Sequence, residues 1–249
     1  MNLPGFDVVE VPASALGARE RLIVALDLPN EAEALALVQS LKDRIQWFKV
    51  GLELHLAEGN SIVEKIRAEG GSVFLDLKLH DIPNTVAGAV RSVSKTGAKM
   101  LTVHAAGGPA MLAAAQEAAA TAPSALKLLA VTVLTSMDGA QLAATGVSAS
   151  PGEQVLRLAE VAYGAGISSF VASSQETARL RSAFPHSTLV IPGIRPTGSA
   201  VGDQKRIATP AVAITAGADY LVVGRPITQA PDPAVAAQAI LDEIALALA

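Results

Sequence analysis

Within the segment Phe74–Thr85, an acid, a base and an acid fall inside otherwise apolar sequence: Asp76, Lys78 and Asp81. Strand side chains alternate between faces, so a strand here aims Asp76 and Lys78 the same way, roughly 7 Å apart along the backbone. Burying a charge costs several kcal/mol unless it is paired. A structural ion pair is one reading of the segment. A charged catalytic row is the other, and the distribution of polar residues over the whole chain favours it.

The elements that must position these residues are short apolar runs alternating with Ala-rich amphipathic segments. Strands are expected at Leu22–Leu26, Trp47–Val50, Val73–Leu77, Met100–Val103, Leu128–Leu134, Ser169–Ala172, Leu189–Ile191 and Tyr220–Val223. Their near-continuous apolar character suits parallel strands covered on both faces. Helix starts fall between them. Asn30 with Glu33, and Ser150 with Pro151 and Glu153, form capping patterns; Thr209–Pro210 and Asp232–Pro233 repeat the cap-then-proline signal. Pro83 and Pro109 also stand where a first helical turn begins. This rhythm over 249 residues predicts an α/β chain folded as a (β/α)8 TIM barrel, one domain spanning 1–249, with a doubly wound open sheet as runner-up. Residues 1–20 are expected to form a short N-terminal extension against the outside or bottom of the barrel.

Polar residues follow nearly every expected strand. Asp27 ends the first, Lys49 lies at the end of the second, and Asp76 and Lys78 close the third. His104 ends the fourth, Thr135 and Ser136 follow the fifth, and Ser173 and Ser174 the sixth. Gly193 and Arg195 follow the seventh, Gly224 and Arg225 the eighth. In a barrel those ends form one rim, where active sites are built. Structural salt bridges have no reason to choose the same end each time. Singly, Asp27 reads equally well as a turn residue, and His80 and His104 read as structural. Lys49 sits inside the apolar run Trp47–Gly51, which argues against a solvated role. The Gly- and polar-rich stretch from Pro192 through Gln204 reads as a binding loop or lid. With Gly224 and Arg225 it marks a phosphate site, since barrels often hold phosphate after strands seven and eight and arginine offers a fork of donors.

Composition narrows the classes. Half the residues are hydrophobic, aromatics are few (five Phe, two Tyr, one Trp), and net charge is −4 without a basic block, so nucleic-acid binding has little support. No cysteine is present, which removes thiolate nucleophiles, disulfides and Cys-ligated zinc. No cationic-then-apolar leader opens the chain, and no apolar run approaches the ~18 residues of a membrane span. A cytoplasmic setting is expected.

Taken together, these segments resemble the orotidine 5′-phosphate decarboxylase family from about Arg21 to Ile240. The resemblance rests on Ala25–Asp27, Phe48–Gly51, Phe74–Thr85, Thr102–His104, Val131–Ser136, Pro192–Pro196, Gly202–Gln204 and Val223–Pro226. It implies that Asp27 and Lys49 hold ribose hydroxyls, and that Lys49, Asp76, Lys78 and Asp81 form an alternating charge row around the scissile carboxylate of orotidine 5′-monophosphate. Asp81 would reach over from the neighbouring subunit of a homodimer, with Ile82 and Thr85 along that edge. Thr135 would lie by the pyrimidine. Arg195, Gln204, Gly224 and Arg225 would bind the phosphate, with Gln204 on a closing loop. No metal and no cofactor is implied. Flanking carboxylates are expected to keep Lys78 protonated despite burial, ready to hand a proton to C6 after CO2 departs. Two competing readings remain at this stage. One is a magnesium-dependent sugar-phosphate decarboxylase or synthase of the same barrel group. The other is a non-catalytic phosphate-binding barrel.

Overall fold

The computed structural model describes residues 16–196 and 206–249. Eight strands alternate with helices: β1 (Leu22–Ala25), β2 (Trp47–Gly51), β3 (Ser72–Leu79), β4 (Met100–His104), β5 (Lys127–Val131), β6 (Ser169–Val171), β7 (Thr188–Ile191) and β8 (Tyr220–Val223). All pair in parallel in sequence order, and β8 returns to β1 to close the barrel. The expected (β/α)8 fold is therefore the observed one.

The anticipated caps set the helix starts. The Ser150 hydroxyl accepts the Glu153 N–H while the Glu153 carboxylate accepts the Ser150 N–H. Asn30 accepts the Glu33 N–H at 3.0 Å, and Asp232 accepts from Ala234 and Val235. Each such cap is worth about 1 kcal/mol. Residues 18–21 form a short helix leading into β1; of the expected N-terminal extension, residues 1–15 lie outside the described residues.

Alternation along the strands divides the core in two. One face packs on the helices. The other fills the barrel with Ile23, Ala25, Phe74, Met100, Leu129, Val190 and Val222, against which Trp47 and Tyr220 pack edge-to-face at 5.9 Å. Two residues further along the same inward parity come Asp27, Lys49, Asp76, Thr102 and Gly224. The strand period thus converts an apolar barrel filling into a polar layer at the carboxyl rim. At the opposite end, the Arg181 guanidinium binds Asp219 at 2.7 Å and the carbonyls of Ser187 and Gly217. Asp219 also accepts the Leu189 N–H, and Arg21 donates to the Ala218 carbonyl, so the β7–β8–β1 seam is tied at its amino end.

Two strands end differently from expectation. β5 stops at Val131 rather than Leu134, because the Thr132 N–H and hydroxyl both turn to the Val171 carbonyl. The apolar residues Val133 and Leu134 continue as rim backbone, with their carbonyls bound to Arg206. β3 runs on to Leu79 instead of ending at Leu77, and its pairing with β4 is irregular between Leu75 and Leu79.

Candidate active site

The polar layer begins with Lys49, whose side chain is 9 % exposed. Its ammonium lies 2.9 Å from Asp27 Oδ1 and 3.4 Å from Asp76 Oδ2. Gly51 lets this pair sit on bare backbone: a Cβ there would fall 3.0 Å from Lys49 Nζ and 3.1 Å from Asp27 Oδ1. Asp76 is engaged on both oxygens, since Oδ1 also accepts from Lys78 Nζ at 2.8 Å and from the Thr102 hydroxyl at 3.1 Å. Asp27, Lys49, Asp76 and Lys78 thus form a continuous alternating row across β1, β2 and β3.

The electrostatics follow from burial against pairing. Burial alone would pull the Lys49 ammonium down, but Asp76 and Asp27 outweigh it and leave its pKa above the usual lysine value. Burial would raise Asp76; Lys49, Lys78 and the hydrogen bonds from Lys78 and Thr102 override it and hold the carboxyl below its usual range. Both groups are therefore kept charged at neutral pH. Burial, followed by His80 and Lys78, holds His104 below its usual value, and its ring stacks on His80 at 5.3 Å.

Asp76 and Lys78 do face one another, but not through simple alternation. Lys78 has φ +50°, the one positive φ among described non-glycine residues. A left-handed lysine carries backbone strain of about 1–3 kcal/mol. The irregularity in β3 also leaves Lys78 less buried than the sequence suggests, with 34 % of its side chain exposed.

A cavity of about 540 Å3 opens at this rim, walled by Asp27, Lys49, Asp76 and Lys78. Thr135, Ser136, Gly224 and both Arg195 and Arg225 share its lining. Arg195 is buried, and its guanidinium donates to the Ile194 carbonyl at 2.8 Å. The neighbouring Gly193 takes φ +76°, the turn that brings the chain back from β7. Charges suited to a carboxylate-bearing, phosphorylated ligand therefore share one hollow.

Other expected residues fall elsewhere. Asp81, Ile82 and Thr85 are exposed and do not line the cavity of the single chain. Asp81 Oδ1 accepts the Ile82 N–H at 2.6 Å, just ahead of the helix Pro83–Ser94. Gln204 lies outside the described residues. Ser173 serves its own turn, accepting from Gln175 N–H and Thr177 Oγ1, and neither it nor Ser174 lines the cavity.

Sequence reasoning gave no role to Thr102, Glu176 or Arg206. Arg206 binds Glu176 at 2.7 Å, with side chains 7 % and 6 % exposed, and donates to the carbonyls of Val133 and Leu134. It thereby ties the segment after β7 to the loops after β5 and β6. The signal for Thr102 was a hydroxyl at an inward position of an apolar strand. Glu176 and Arg206 carry no local signal, because thirty residues separate them.

Eight parallel strands closed around an apolar filling, with ionic groups at their carboxyl ends, place the molecule among (β/α)8-barrel enzymes. Comparison with known proteins narrows this. The chain belongs to the Orotidine 5′-phosphate decarboxylase / HUMPS family, whose model matches residues 20–240. It is 52 % identical over 235 residues to the orotidine 5′-phosphate decarboxylase of a Bradyrhizobium species, covering 94 % of this chain and 95 % of that one. It is 53 % identical over 228 residues to that of Halorhodospira halophila, covering 91 % and 97 %. Among solved structures, orotidine 5′-phosphate decarboxylase from Lactobacillus acidophilus superimposes with a TM-score of 0.80 at 37 % identity, over 90 % of this chain and 99 % of that one.

Proposed function

We propose that this protein converts orotidine 5′-monophosphate to UMP and CO2, the closing step of pyrimidine nucleotide synthesis, without a cofactor. The observation that carries the reading is the Lys49–Asp76–Lys78 row sharing one cavity with Arg195 and Arg225. Family membership and the relatives' named activity support it.

In the proposed step the C6–carboxylate bond breaks, the electron pair stays on C6 and CO2 leaves. Lys78 Nζ then gives C6 a proton. A fixed cation beside the developing carbanion lowers the barrier by preorganised electrostatics. Asp76, locked by Lys49, Lys78 and Thr102, holds Lys78 in place and crowds the departing carboxylate. Asp27 and Lys49 bind the ribose hydroxyls, Thr135 lies by the pyrimidine, and Arg195, Gln204, Gly224 and Arg225 hold the phosphate. The demand is severe, about 20 kcal/mol near the top of the enzymatic range. Binding energy from the remote phosphate is needed to help meet it.

We further propose a homodimer in which Asp81 completes the row of the other subunit. Exposure of Asp81 supports this, as do the exposed apolar side chains of its neighbour in sequence Ile82, at 67 %, and of Leu56 and Leu52 on the helix after β2, at 79 % and 50 %. Leu52 also lines the cavity.

The test is the fall in ultraviolet absorbance of orotidine 5′-monophosphate on adding enzyme in excess EDTA. Turnover in chelator is expected. No turnover with or without magnesium would remove the reading, and turnover only after magnesium is restored would overturn its independence of a metal.

A further inference from the structure

Thr102 is fully buried on β4, yet its hydroxyl meets two parts of the neighbouring strand. It accepts the backbone N–H of Lys78 at 2.8 Å and donates to Asp76 Oδ1 at 3.1 Å. The strand register shows why the side chain is needed. Between Leu75 and Leu79, four steps of β3 stand against only two of β4, from Leu101 to Val103. The regular register with β4 is broken at Lys78, whose N–H goes to the Thr102 hydroxyl instead, and leaving that N–H unpaired at a partly buried site would cost about 1–3 kcal/mol. Lys78 is also the residue whose backbone turns left-handed there. The backbone of Asp76, two residues earlier, stays in register with β2, opposite Gly51.

We propose that Thr102 is a positioning residue for the proton donor: its single hydroxyl fixes the left-handed backbone of Lys78 and the carboxylate that receives the Lys78 ammonium, so that both ends of the donor are held by one atom. Thr102 is not among the residues lining the cavity. It acts by setting where Lys78 Nζ stands relative to Asp76. The role rests on the decarboxylase reading above. A bulge aims the lysine, and the hydroxyl keeps the bulge from relaxing. Valine has the shape of threonine without the hydroxyl, whereas serine keeps the hydroxyl without the methyl.

The experiment compares Thr102→Val and Thr102→Ser in the full chain, with kcat and KM measured separately on orotidine 5′-monophosphate. Val is expected to lower kcat by about tenfold to a hundredfold, the worth of a hydrogen bond to a charged group, while KM changes little because the phosphate arginines are untouched. Ser is expected to restore most of kcat. A Val variant with wild-type kcat overturns the proposal, and so does a Ser variant as impaired as Val. If Val does not fold, amide hydrogen exchange on the unmutated protein decides. Protection of the Lys78 N–H supports the proposal, and exchange at the rate of a free amide refutes it. That measurement needs no turnover, so inactivity of the unmutated enzyme would count against the decarboxylase reading and not against the hydrogen bond.

Discussion

The left-handed backbone at Lys78 separates stability from activity in a way that two substitutions can expose. Lys78→Ala and Lys78→Gly both delete the ammonium 2.8 Å from Asp76. They leave Asp76 with the same partners, Lys49 and Thr102. They differ only in how each residue tolerates φ +50°. A side chain with a Cβ loses about 1–2 kcal/mol in that region, whereas glycine loses about 0.4–1 kcal/mol more chain entropy on folding than alanine. Glycine is therefore expected to be the more stable variant by about 0.5–1 kcal/mol. With a urea slope of about 3 kcal/mol/M, the Gly midpoint lies about 0.2–0.3 M above that of Ala. Both variants are expected to be folded and without measurable turnover. An Ala midpoint equal to or above that of Gly would refute the left-handed assignment. Near-wild-type turnover in either would refute Lys78 as the proton donor.

Other expected outcomes follow from the same geometry. Arg225→Ala is expected to raise KM by orders of magnitude through loss of a forked phosphate donor, and an unchanged KM in steady-state assays counts against the phosphate site. Gly51→Ala brings a methyl within 3.0 Å of Lys49 Nζ and is expected to lower kcat/KM at least tenfold by pushing Lys49 off Asp27; wild-type kinetics would show that the pair has room to move. Mixing Asp81→Ala with Lys78→Ala subunits is expected to regain part of the activity, since one site in a mixed dimer keeps both groups, and no recovery despite proven subunit exchange argues against a shared site. For pH, Asp76 is held below its usual carboxyl value, so its contribution is full above that value and is lost as pH falls through the lowered one. The denaturation gap between wild type and Asp76→Asn is thus expected to narrow as pH falls below the ordinary carboxyl range, and a constant gap on acidification would refute the depressed pKa. Lys49 behaves oppositely: raised above its usual value, it stabilises below that value and loses its effect as pH climbs through the higher one.

The barrel was legible because its strands are apolar runs bounded by capping residues, and these signals are local. The rim residues were legible because strand parity carries Trp47 to Lys49 and Phe74 to Asp76 on one face. What stayed hidden depends on contacts between distant segments. Lysine has no preference that announces a left-handed backbone, so the bulge at Lys78 showed only in the pairing of β3 with β4. Thr102 was visible as part of a motif, but its partners depend on that offset register. The ion pair of Glu176 with Arg206 spans two loops, and neither loop predicts the other. The end of β5 was misplaced because Val133 and Leu134 remain apolar after the strand has finished. Ser173 misled for the opposite reason: a turn needs a hydroxyl as readily as a ligand does.

The barrel filling has a consequence for the charges above it. Ala25, Phe74, Val131, Val171 and Val222 form the floor of the cavity, so water has no approach from beneath. Ionic attraction at a given distance rises several-fold as the surroundings become less polarisable. With the floor already dry, the strength of the whole ionic chain is governed from a single side. Whatever sits over the mouth, whether substrate, neighbouring protein or bulk water, acts as the dial that sets it.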